Sequence, residues 1–277
     1  MSPLYAGVSR TDTLLKIEDL SIVYGSRVVL RDVNAEIRDV IRPGHSQGQV
    51  VGLLGPSGIG KTQLFRSMAG LQPPTRGRVL VTKDNIPVRV GMVGVVDQHY
   101  TLFKHRTVGD NLLLAAHQGG LVGKAAEEKA RTFLGRFQLQ DRWDDWPGNL
   151  SGGQRQRVAI AQQLLCSEHY LLMDEPFSGL DVNMQDEVCR LIGEVAAMDE
   201  LTTIIVVTHD VEAAVTISDT IWLLGRDRDE AGAVIPGARV QHEYDLIERG
   251  LAWQPDIERR PAFRDLVEEI RVRFRTL

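Results

Sequence analysis

Residues 49–62 read QVVGLLGPSGIGKT, an apolar run followed by a glycine-rich loop. The first six residues form a short apolar run, typical of a strand that is buried on both faces of a parallel sheet. The glycine-rich loop that follows places Gly55, Gly60, Lys61 and Thr62 at the spacing G-x-x-x-x-G-K-[ST] of a phosphate-binding loop. Because the loop follows a buried strand and precedes a helical pattern, a chance match in a glycine-rich turn is the weaker interpretation.

This loop supplies the chemistry of a nucleoside triphosphate site. Its backbone amides are expected to point toward bound phosphates, and the start of the following helix adds partial positive charge. We expect the Lys61 ammonium to reach the β- and γ-phosphates and the Thr62 hydroxyl to ligate Mg²⁺. The residues predicted to contact the nucleotide here are Gly55, Pro56, Ser57, Gly58, Ile59, Gly60, Lys61, Thr62 and Gln63.

Two adjacent carboxylates follow a second apolar run. Residues 170–173, YLLM, predict a buried strand whose carboxyl end presents Asp174 and Glu175, where ligands bind in open parallel sheets. We expect Asp174 to hold the magnesium ion through water, and Glu175 to orient or deprotonate an attacking water molecule. The alternative is a solvated strand end, which the phosphate-binding loop makes the weaker interpretation.

One histidine stands at the end of a third apolar run. His209 follows TTIIVV, residues 202–207, and a parallel sheet places it at the same edge as Glu175. A lone histidine is more often structural. Beside bound phosphates, however, it can contact the γ-phosphate and report its presence, and we predict that role for His209.

Apolar runs alternate with helical patterns over most of the chain, which predicts an α/β fold of the P-loop type with a parallel sheet. The first two strands, in 14–25 and 27–37, predict an antiparallel β edge. Residues 38–48 are polar, with proline and glycine, and predict a loop. The predicted organisation is a flexible arm (1–13), an α/β core (14–98 and 166–225), an almost wholly helical inserted subdomain (99–165) and a C-terminal extension (226–277) with an amphipathic helix packed on its own domain.

The composition is that of an ordinary globular protein. The chain has 277 residues, 43% hydrophobic and 25% charged, with a net charge of −5 that does not indicate a nucleic-acid surface. No apolar run approaches the roughly 20 residues of a membrane-spanning helix, and the N-terminus does not resemble a secretory signal. Two cysteines, Cys166 and Cys189, form no disulfide framework and fit a reducing, cytoplasmic compartment.

Residues 150–156 read LSGGQRQ, a second glycine pair that a single nucleotide does not require. Together with the phosphate-binding loop, the carboxylate pair and His209 in this order, LSGGQ makes the chain resemble the ATP-binding subunit of an ABC transporter over residues 14–225. The resemblance implies ATP and Mg²⁺ as ligands and ATP hydrolysis as the activity. It also implies that two such domains pair head to tail, so that each LSGGQ closes over the nucleotide of the other.

The residues of LSGGQ have the chemistry for this role. Ser151 supplies a hydroxyl, Gly152 and Gly153 let backbone amides approach a γ-phosphate, and the helix that begins there adds its dipole. Gln154 completes the predicted contact. The alternative is a serine-capped helix start, but capping does not require Gly-Gly-Gln.

Three further residues acquire roles from the resemblance. Tyr24 matches the aromatic residue that stacks on adenine, the alternative being a buried strand tyrosine. Gln98 matches the glutamine that meets magnesium and links the core to the helical subdomain, the alternative being an exposed loop residue. Asp181, in SGLD, matches the aspartate that communicates with the facing site.

Three features depart from the family pattern. Gln63 stands where a hydroxyl residue usually touches the α-phosphate, which puts that contact in doubt. Gly179 replaces a commoner alanine in SGLD, for which we expect a small effect. The stretch 38–48 lengthens the approach to the phosphate-binding loop, and the resemblance gives it no role.

The kind of ABC protein follows from what the chain contains between its motifs. Ribosome-acting members typically carry two ATPase cassettes, and DNA-repair members carry a long coiled coil before LSGGQ. This chain has one cassette, a short intervening stretch and an acidic balance that disfavours polyanion partners. A generic P-loop kinase or switch does not explain LSGGQ.

After Gln98 the sequence HYTLFKHRTVGDN resembles the pattern QxxxLFPHxTVxxN of importer subunits, in which this region receives the membrane permease. Lys104 replaces the usual proline, and Leu102 and Phe103 are alternatively core residues of the helical subdomain. The stretch after residue 225 is short for the β-rich regulatory domain of sugar importers. The resemblance therefore favours a small-solute importer of the amino-acid or nitrate/sulfonate/taurine kind, with an exporter as the alternative.

The resemblance implies specific partners and a location. The partners are a second ATPase subunit in a homodimer, a membrane-spanning permease and, for an importer, an extracytoplasmic solute-binding protein. The predicted location is cytoplasmic, at the inner face of the membrane through the permease. The solute cannot be read from this chain, because its contacts lie in the other components.

Overall fold

The computed structural model describes residues 5–43, 48–167, 169–198 and 202–277, and within them ten strands form one mixed sheet. The strands are β1 (Ser9–Tyr24), β2 (Arg27–Ile41), β3 (Gln49–Leu54), β4 (Arg76–Val81), β5 (Ile86–Pro87), β6 (Gly94–Val96), β7 (Tyr170–Asp174), β8 (Thr203–Thr208), β9 (Thr220–Arg228) and β10 (Val234–Asp245). The helices are α1 (Lys61–Met68), α2 (Val108–Gln118), α3 (Gly123–Arg136), α4 (Gly152–Cys166), α5 (Val182–Ala196), α6 (Val211–Ile217) and α7 (Pro261–Phe274). The strand order is β5-β4-β1-β2-β10-β9-β3-β8-β7-β6.

The parallel half of the sheet is β9-β3-β8-β7-β6, as the apolar runs predict. Every residue of β3 and β8 is buried, because helices cover both faces of these strands. Val51 and Leu53 pack with α1 on one face. Val50 and Ile204 belong to the core that includes α2, α4 and α5 on the other face. The predicted α/β core is confirmed.

The antiparallel half is β5-β4-β1-β2, and its first two strands are longer than predicted. Ser9 of β1 pairs with Ile41 of β2. The arm predicted for 1–13 is therefore wrong from Ser9 onward, and the loop predicted for 38–48 is wrong as far as Ile41, because these residues belong to strands. Tyr5 is buried, and its hydroxyl donates a hydrogen bond to the Ala252 carbonyl at 2.7 Å. The first four residues of the arm and 44–47 of the loop lie outside the described residues.

The helical subdomain contains α2, α3 and α4, but it is less helical than predicted. Residues 99–107 and most of 137–151 form turns and short 3-10 segments. Polar caps fix where the helices begin, since Thr107, at the start of α2, accepts a hydrogen bond from the third residue of the first turn. Ser151, Asp181 and Asp210 cap α4, α5 and α6 in the same way. Ser151 and Asp181 are themselves predicted site residues, and Asp210 follows His209.

The C-terminal extension is part of the sheet, which the sequence did not predict. β10 lies between β2 and β9 and joins the antiparallel half to the parallel half. The amphipathic helix α7 packs on its own domain, as predicted: Phe263, Leu266 and Ile270 belong to a buried core with Leu54 of β3. Among the described residues, no helix is both long and apolar enough to cross a lipid bilayer.

Candidate functional site

A groove of about 430 Å³, here called the phosphate-loop groove, lies at the carboxyl ends of β3 and β7 and beside the end of β1. It brings together most of the predicted contacts that are far apart in the sequence. Its lining residues are Tyr24, Arg27, Val29, Ser57, Gly58, Gly60, Lys61, Thr62, Gln63, Gln98, Asp174 and Glu175. Arg27 and Val29, from β2, are additions that no sequence signal identified.

A second pocket of about 450 Å³ lies at the opposite ends of the parallel strands, around Gln49 and Thr220. Its walls are charged, but several of the charges are paired with each other: Arg10 forms an ion pair with Asp245, and Arg38 forms one with Glu36. None of the predicted site residues lines it. We therefore place the functional site in the phosphate-loop groove.

The phosphate-binding loop turns into α1 at Gly60. This residue has a φ of 121°, a conformation that L-residues rarely adopt, and a Cβ there would lie 2.8 Å from Cδ2 of Leu30. The backbone conformation requires glycine, and the contact with Leu30 adds to the constraint. The backbone amides of Gln63 and Leu64 donate to the Gly60 carbonyl at 3.0 Å, so the first turn of α1 forms directly behind the loop.

The Lys61 side chain folds back onto the phosphate-binding loop. Its Nζ donates hydrogen bonds to the carbonyls of Gly55 at 2.7 Å and Pro56 at 3.3 Å, and it lies 3.7 Å from Oε1 of Glu175. Burial lowers the pKa of the Lys61 ammonium, while the carboxylates of Glu175 and Asp174 raise it. The chain thus holds a desolvated cation where a phosphate chain would meet the loop.

Asp174 and Glu175 lie where β7 ends. Burial raises the pKa of Asp174, the neighbouring Glu175 charge raises it further, and the Lys61 charge lowers it. Glu175 has a left-handed φ of 48°, and its amide donates to the Val207 carbonyl at 2.8 Å. A non-glycine residue in this conformation costs about 1–3 kcal/mol, and such strain is concentrated at functional sites.

Two side chains from the end of β8 hold the Glu175 carboxylate. Thr208 Oγ1 donates to Oε2 of Glu175 at 3.2 Å, and Nδ1 of His209 lies 2.9 Å from the same oxygen. We assign the proton to Nδ1 of His209, because a carboxylate only accepts. The sequence predicted that His209 and Glu175 share this edge, but it did not identify Thr208.

The oxygen atoms that line the groove beside Lys61 are suitable ligands for a magnesium ion. The Thr62 hydroxyl, the Gln98 amide and the Asp174 carboxylate all line the phosphate-loop groove, and hard oxygen ligands are those that Mg²⁺ prefers. Within the described ranges, no three His, Cys, Asp or Glu side chains are grouped to hold a metal ion. A cation here would be held by the Thr62 hydroxyl, the Gln98 amide and the Asp174 carboxylate, together with oxygens of the nucleotide.

The LSGGQ segment lies away from this groove, since none of its residues 150–154 is among the lining residues. It forms the start of α4, where Ser151 and Gln154 make a reciprocal capping box. The capping alternative is therefore real for Ser151 and Gln154. It leaves Gly152 and Gly153 unexplained, because a Cβ on either would meet no atom of the described residues within 4 Å beyond its own chain neighbours and the adjacent backbone of α4.

The sequence profile of the ABC transporter family matches residues 41–178, which include both the phosphate-binding loop and LSGGQ. The chain belongs to the ABC transporter ATP-binding family. The sulfate/thiosulfate import ATP-binding protein CysA of Synechocystis sp. is 34% identical over 217 residues, which are 77% of this chain and 59% of that protein. The protein of the same name from Xanthomonas campestris is 38% identical over 223 residues, 78% of this chain and 62% of that protein.

A solved structure gives the same assignment for the fold. cbiO1 from Clostridium perfringens, part of the ABC transporter complex cbiONQ, superimposes with a TM-score of 0.70 at 27% identity, covering 87% of this chain and 91% of that one. The chain therefore has the fold of the ABC transporter family over most of its length. It matches only about three fifths of the length of the two import proteins.

Tyr24 of this ABC-family chain is not a buried strand tyrosine. Its side chain is 49% exposed at the end of β1, on the wall of the phosphate-loop groove. Its hydroxyl donates to Oε1 of Gln63 at 2.7 Å and accepts a hydrogen bond from Nε2 of Gln72 at 2.7 Å. Gln72 was not predicted, because it reaches Tyr24 only through the tertiary fold.

Gln98 contacts the segment that follows Glu175, and Asp181 lies within that segment. Nε2 of Gln98 donates to Ser178 Oγ at 3.1 Å, which connects the groove to SGLD. The carboxylate of Asp181 caps α5 by accepting a hydrogen bond from the Met184 amide at 3.0 Å. Gln98 therefore lies where it can contact a nucleotide, whereas Asp181 has a structural contact within its own chain.

Proposed function

We propose that this chain hydrolyses ATP and powers import of a small solute through a membrane permease, working as one half of a head-to-tail dimer. The observation that carries the proposal is the position of Glu175. Its carboxylate lies between Lys61 on one side and the Thr208 and His209 donors on the other. This arrangement suits a base that faces the phosphate end of a nucleotide.

The residues at the phosphate end of the groove then have chemical roles. The Lys61 charge and the amides of the loop bind the β- and γ-phosphates, and Glu175 orients and deprotonates the attacking water. His209 and Thr208 hold the Glu175 carboxylate toward that water. A magnesium ion held by Thr62, Gln98 and Asp174 would supply neutralisation of the phosphate charge.

The glycine pair of LSGGQ supports a second copy of the chain as partner. Glycine is a poor helix former, and packing within this chain does not require Gly152 or Gly153. The exposed start of α4 has glycines in place of side chains, so its backbone amides can bind a phosphate group that another molecule carries. In a two-fold dimer each site would then be built from both chains.

The segment 101–111 supports a permease contact. Leu102 is buried, as its core alternative requires, but the Phe103 side chain is 44% exposed. Asn111, which is fully buried, holds this segment by accepting from the Phe103 amide at 2.8 Å and donating to the Phe103 carbonyl at 3.2 Å. The Phe103 ring therefore faces outward on the helical subdomain, and we propose that the permease binds there.

The remaining parts of the proposal follow from the relatives. Two of them are named for sulfate/thiosulfate import, and we propose import of a small anion or amino acid, including the nitrate, sulfonate and taurine kind. The chain would lie at the cytoplasmic face of the membrane, bound to the permease, with Mg²⁺ and ATP as ligands. An extracytoplasmic binding protein would deliver the solute.

Reconstituted transport tests this proposal. The tagged chain is purified with the membrane protein that it binds and inserted into liposomes with ATP on the side of this chain. The solute-binding protein and labelled sulfate, taurine or amino acids are supplied on the other side. Uptake that requires ATP and is lost in a Lys61→Ala complex is expected. ATP-driven movement in the opposite direction would identify an exporter, and ATP hydrolysis without any bound membrane protein would indicate an ATPase that is not coupled to a permease.

A further inference from the structure

The Tyr24 hydroxyl is the centre of a chain of hydrogen bonds between two glutamines. Nε2 of Gln72 donates to it at 2.7 Å, and Oε1 of Gln63 accepts from it at 2.7 Å. A phenol has one proton, so accepting from Gln72 leaves that proton for Gln63. Both functions of the hydroxyl are therefore used within the protein.

Both glutamines are fixed by the same helix. Gln63 lies in the first turn of α1, two residues after Lys61. Gln72 follows the other end of α1, where Gly70 has a φ of 71° and the Leu71 and Gln72 amides donate to the Arg66 carbonyl. Residues at both ends of α1, the helix that carries Lys61, therefore form hydrogen bonds with the Tyr24 hydroxyl.

The loop after Gln72 is also tied to the strand that carries Tyr24. Thr75 Oγ1 accepts from the Val23 amide at 3.0 Å, and the Thr75 amide donates to the Ser21 carbonyl at 2.8 Å. Gln72 is therefore anchored both to α1 and to β1. Its bond to Tyr24 joins two parts of the fold that are already fixed relative to each other.

We propose that Gln63 and Gln72 are positioning residues that hold the Tyr24 ring in the orientation that receives the nucleotide base. The inference rests on the proposed function, because it assumes that Tyr24 stacks on the base. It also gives Gln63 a role where the family usually has a hydroxyl residue. Gln63 acts through Tyr24, at the base end of the nucleotide.

The physical reason is preorganisation. The Tyr24 ring is about half exposed, and in the absence of a hydroxyl contact it would have rotamer freedom to lose when a base binds. Two hydrogen bonds select one ring orientation before binding. Their removal should therefore weaken recognition of the base and leave recognition of the phosphates unchanged.

The test compares two ligands on the full-length chain by calorimetry, in the presence of Mg²⁺: ATP, which has a base, and tripolyphosphate, which has none. Tyr24→Phe keeps the ring and removes the hydroxyl, and Gln72→Leu removes the donor. Gln72→Leu loses one hydrogen bond and should bind ATP about fivefold more weakly, and Tyr24→Phe, which loses both bonds of the hydroxyl, should bind ATP at least as weakly. Binding of tripolyphosphate should not change.

The double variant Tyr24→Phe/Gln72→Leu should be no weaker than the weaker single variant, because the two changes break the same network. Gln118→Leu, at an exposed glutamine in α2, is the matched control and should bind both ligands like the unchanged protein. Thermal denaturation of every variant checks that each is folded.

Two results would overturn the inference. Unchanged ATP affinity in Tyr24→Phe or Gln72→Leu would show that the bonds do not position the ring. Equal weakening of ATP and tripolyphosphate would show that the glutamines act on the phosphate-binding loop. Tyr24→Ala separates this inference from the proposed function: if it leaves ATP binding unchanged, base stacking by Tyr24 itself is wrong, whereas weaker ATP binding with normal Tyr24→Phe rejects only the positioning role.

Discussion

His209 Nδ1 and Thr208 Oγ1 both donate to the same oxygen of Glu175, Oε2, at 2.9 and 3.2 Å. The other oxygen, Oε1, faces Lys61 Nζ at 3.7 Å. The two oxygens of this carboxylate therefore have different surroundings. One is held by the protein, and the other is directed toward the groove in which we place the phosphates.

Replacement of the Glu175 carboxylate should abolish most turnover. Glu175→Gln keeps an oxygen that accepts from His209 but cannot take a proton, so phosphate release should fall by about a hundredfold or more. ATP should then hold two chains together, because the closed state can no longer be discharged. Phosphate release and gel filtration with ATP and Mg²⁺ measure the two effects.

The matched control for this variant is Glu230→Gln, at an exposed carboxylate outside the groove. It should hydrolyse ATP at the normal rate and show no ATP-dependent change in size. A Glu175→Gln protein that remained monomeric and hydrolysed ATP normally would contradict the assignment of the base.

His209 should affect turnover more than ATP binding. His209→Ala removes a charge-assisted hydrogen bond that orients Glu175, and such a bond accounts for about tenfold or more in rate. We expect kcat to fall by that factor while KM for ATP changes little. His117→Ala, at an exposed histidine of α2, is the control. A His209→Ala enzyme with normal kcat and raised KM would show that the histidine serves binding alone.

Lys61→Ala should abolish nucleotide binding. The ammonium supplies a full charge to a site that is otherwise built from backbone dipoles, and alanine leaves only those dipoles. Its hydrogen bonds within the chain go to two loop carbonyls, so the variant should still fold. Calorimetry with ATP measures binding, and circular dichroism measures folding. A folded variant with normal ATP affinity would exclude Lys61 from the site.

The buried Asp219 should make the stability of the fold depend on pH. Burial raises the pKa of Asp219 to about 7, although the Val50 amide and the Arg42 charge lower it. The unfolded chain has the ordinary value of 3.8, so the stability from this group is full below that value and is lost as the pH rises through about 7. Asp219→Asn should remove this loss, because it stays neutral and keeps an oxygen for the Val50 amide.

Urea denaturation from about pH 5 to pH 8 measures the effect. The free energy of unfolding of Asp219→Asn relative to the unchanged protein should increase with pH across this range. Asp265→Asn, at an exposed carboxylate of α7, should follow the unchanged protein. Parallel profiles for Asp219→Asn and the unchanged protein would mean that Asp219 is ionised in the folded state throughout.

The sequence predicts those parts of the site that local backbone geometry encodes. Gly60, Lys61 and the carboxylates at the end of β7 are recognisable because a glycine-rich turn and a buried strand end have sequence signatures of their own. The roles of His209 and Gln98 depended on the order of the strands and on the family resemblance.

The sequence does not predict features that arise from pairing across the fold. β10 contains Pro236 and Gly237 and many half-exposed positions, so it lacks the alternation that marks a strand, and its neighbours β9 and β2 supply the ladder. Likewise, the Tyr24 contacts join the end of β1 to both ends of α1. No local sequence pattern predicts a hydrogen bond between segments that are so far apart in the chain.

A mixed dimer shows whether LSGGQ serves the nucleotide of a partner chain. One tagged chain carries Lys61→Ala, and a differently tagged chain carries Ser151→Arg. In a head-to-tail dimer both lesions fall on the same composite site, and the other site combines an intact phosphate-binding loop with an intact LSGGQ. The mixed dimer is purified through its two tags in the complex with its permease.

Phosphate release from this complex is compared with that of a dimer in which each chain carries both lesions. The head-to-tail arrangement predicts turnover clearly above the double-lesion control, because one intact site remains. If LSGGQ acts on the ATP of its own chain, one subunit cannot bind ATP and the other has a broken LSGGQ. Turnover equal to that of the double-lesion control would contradict the account.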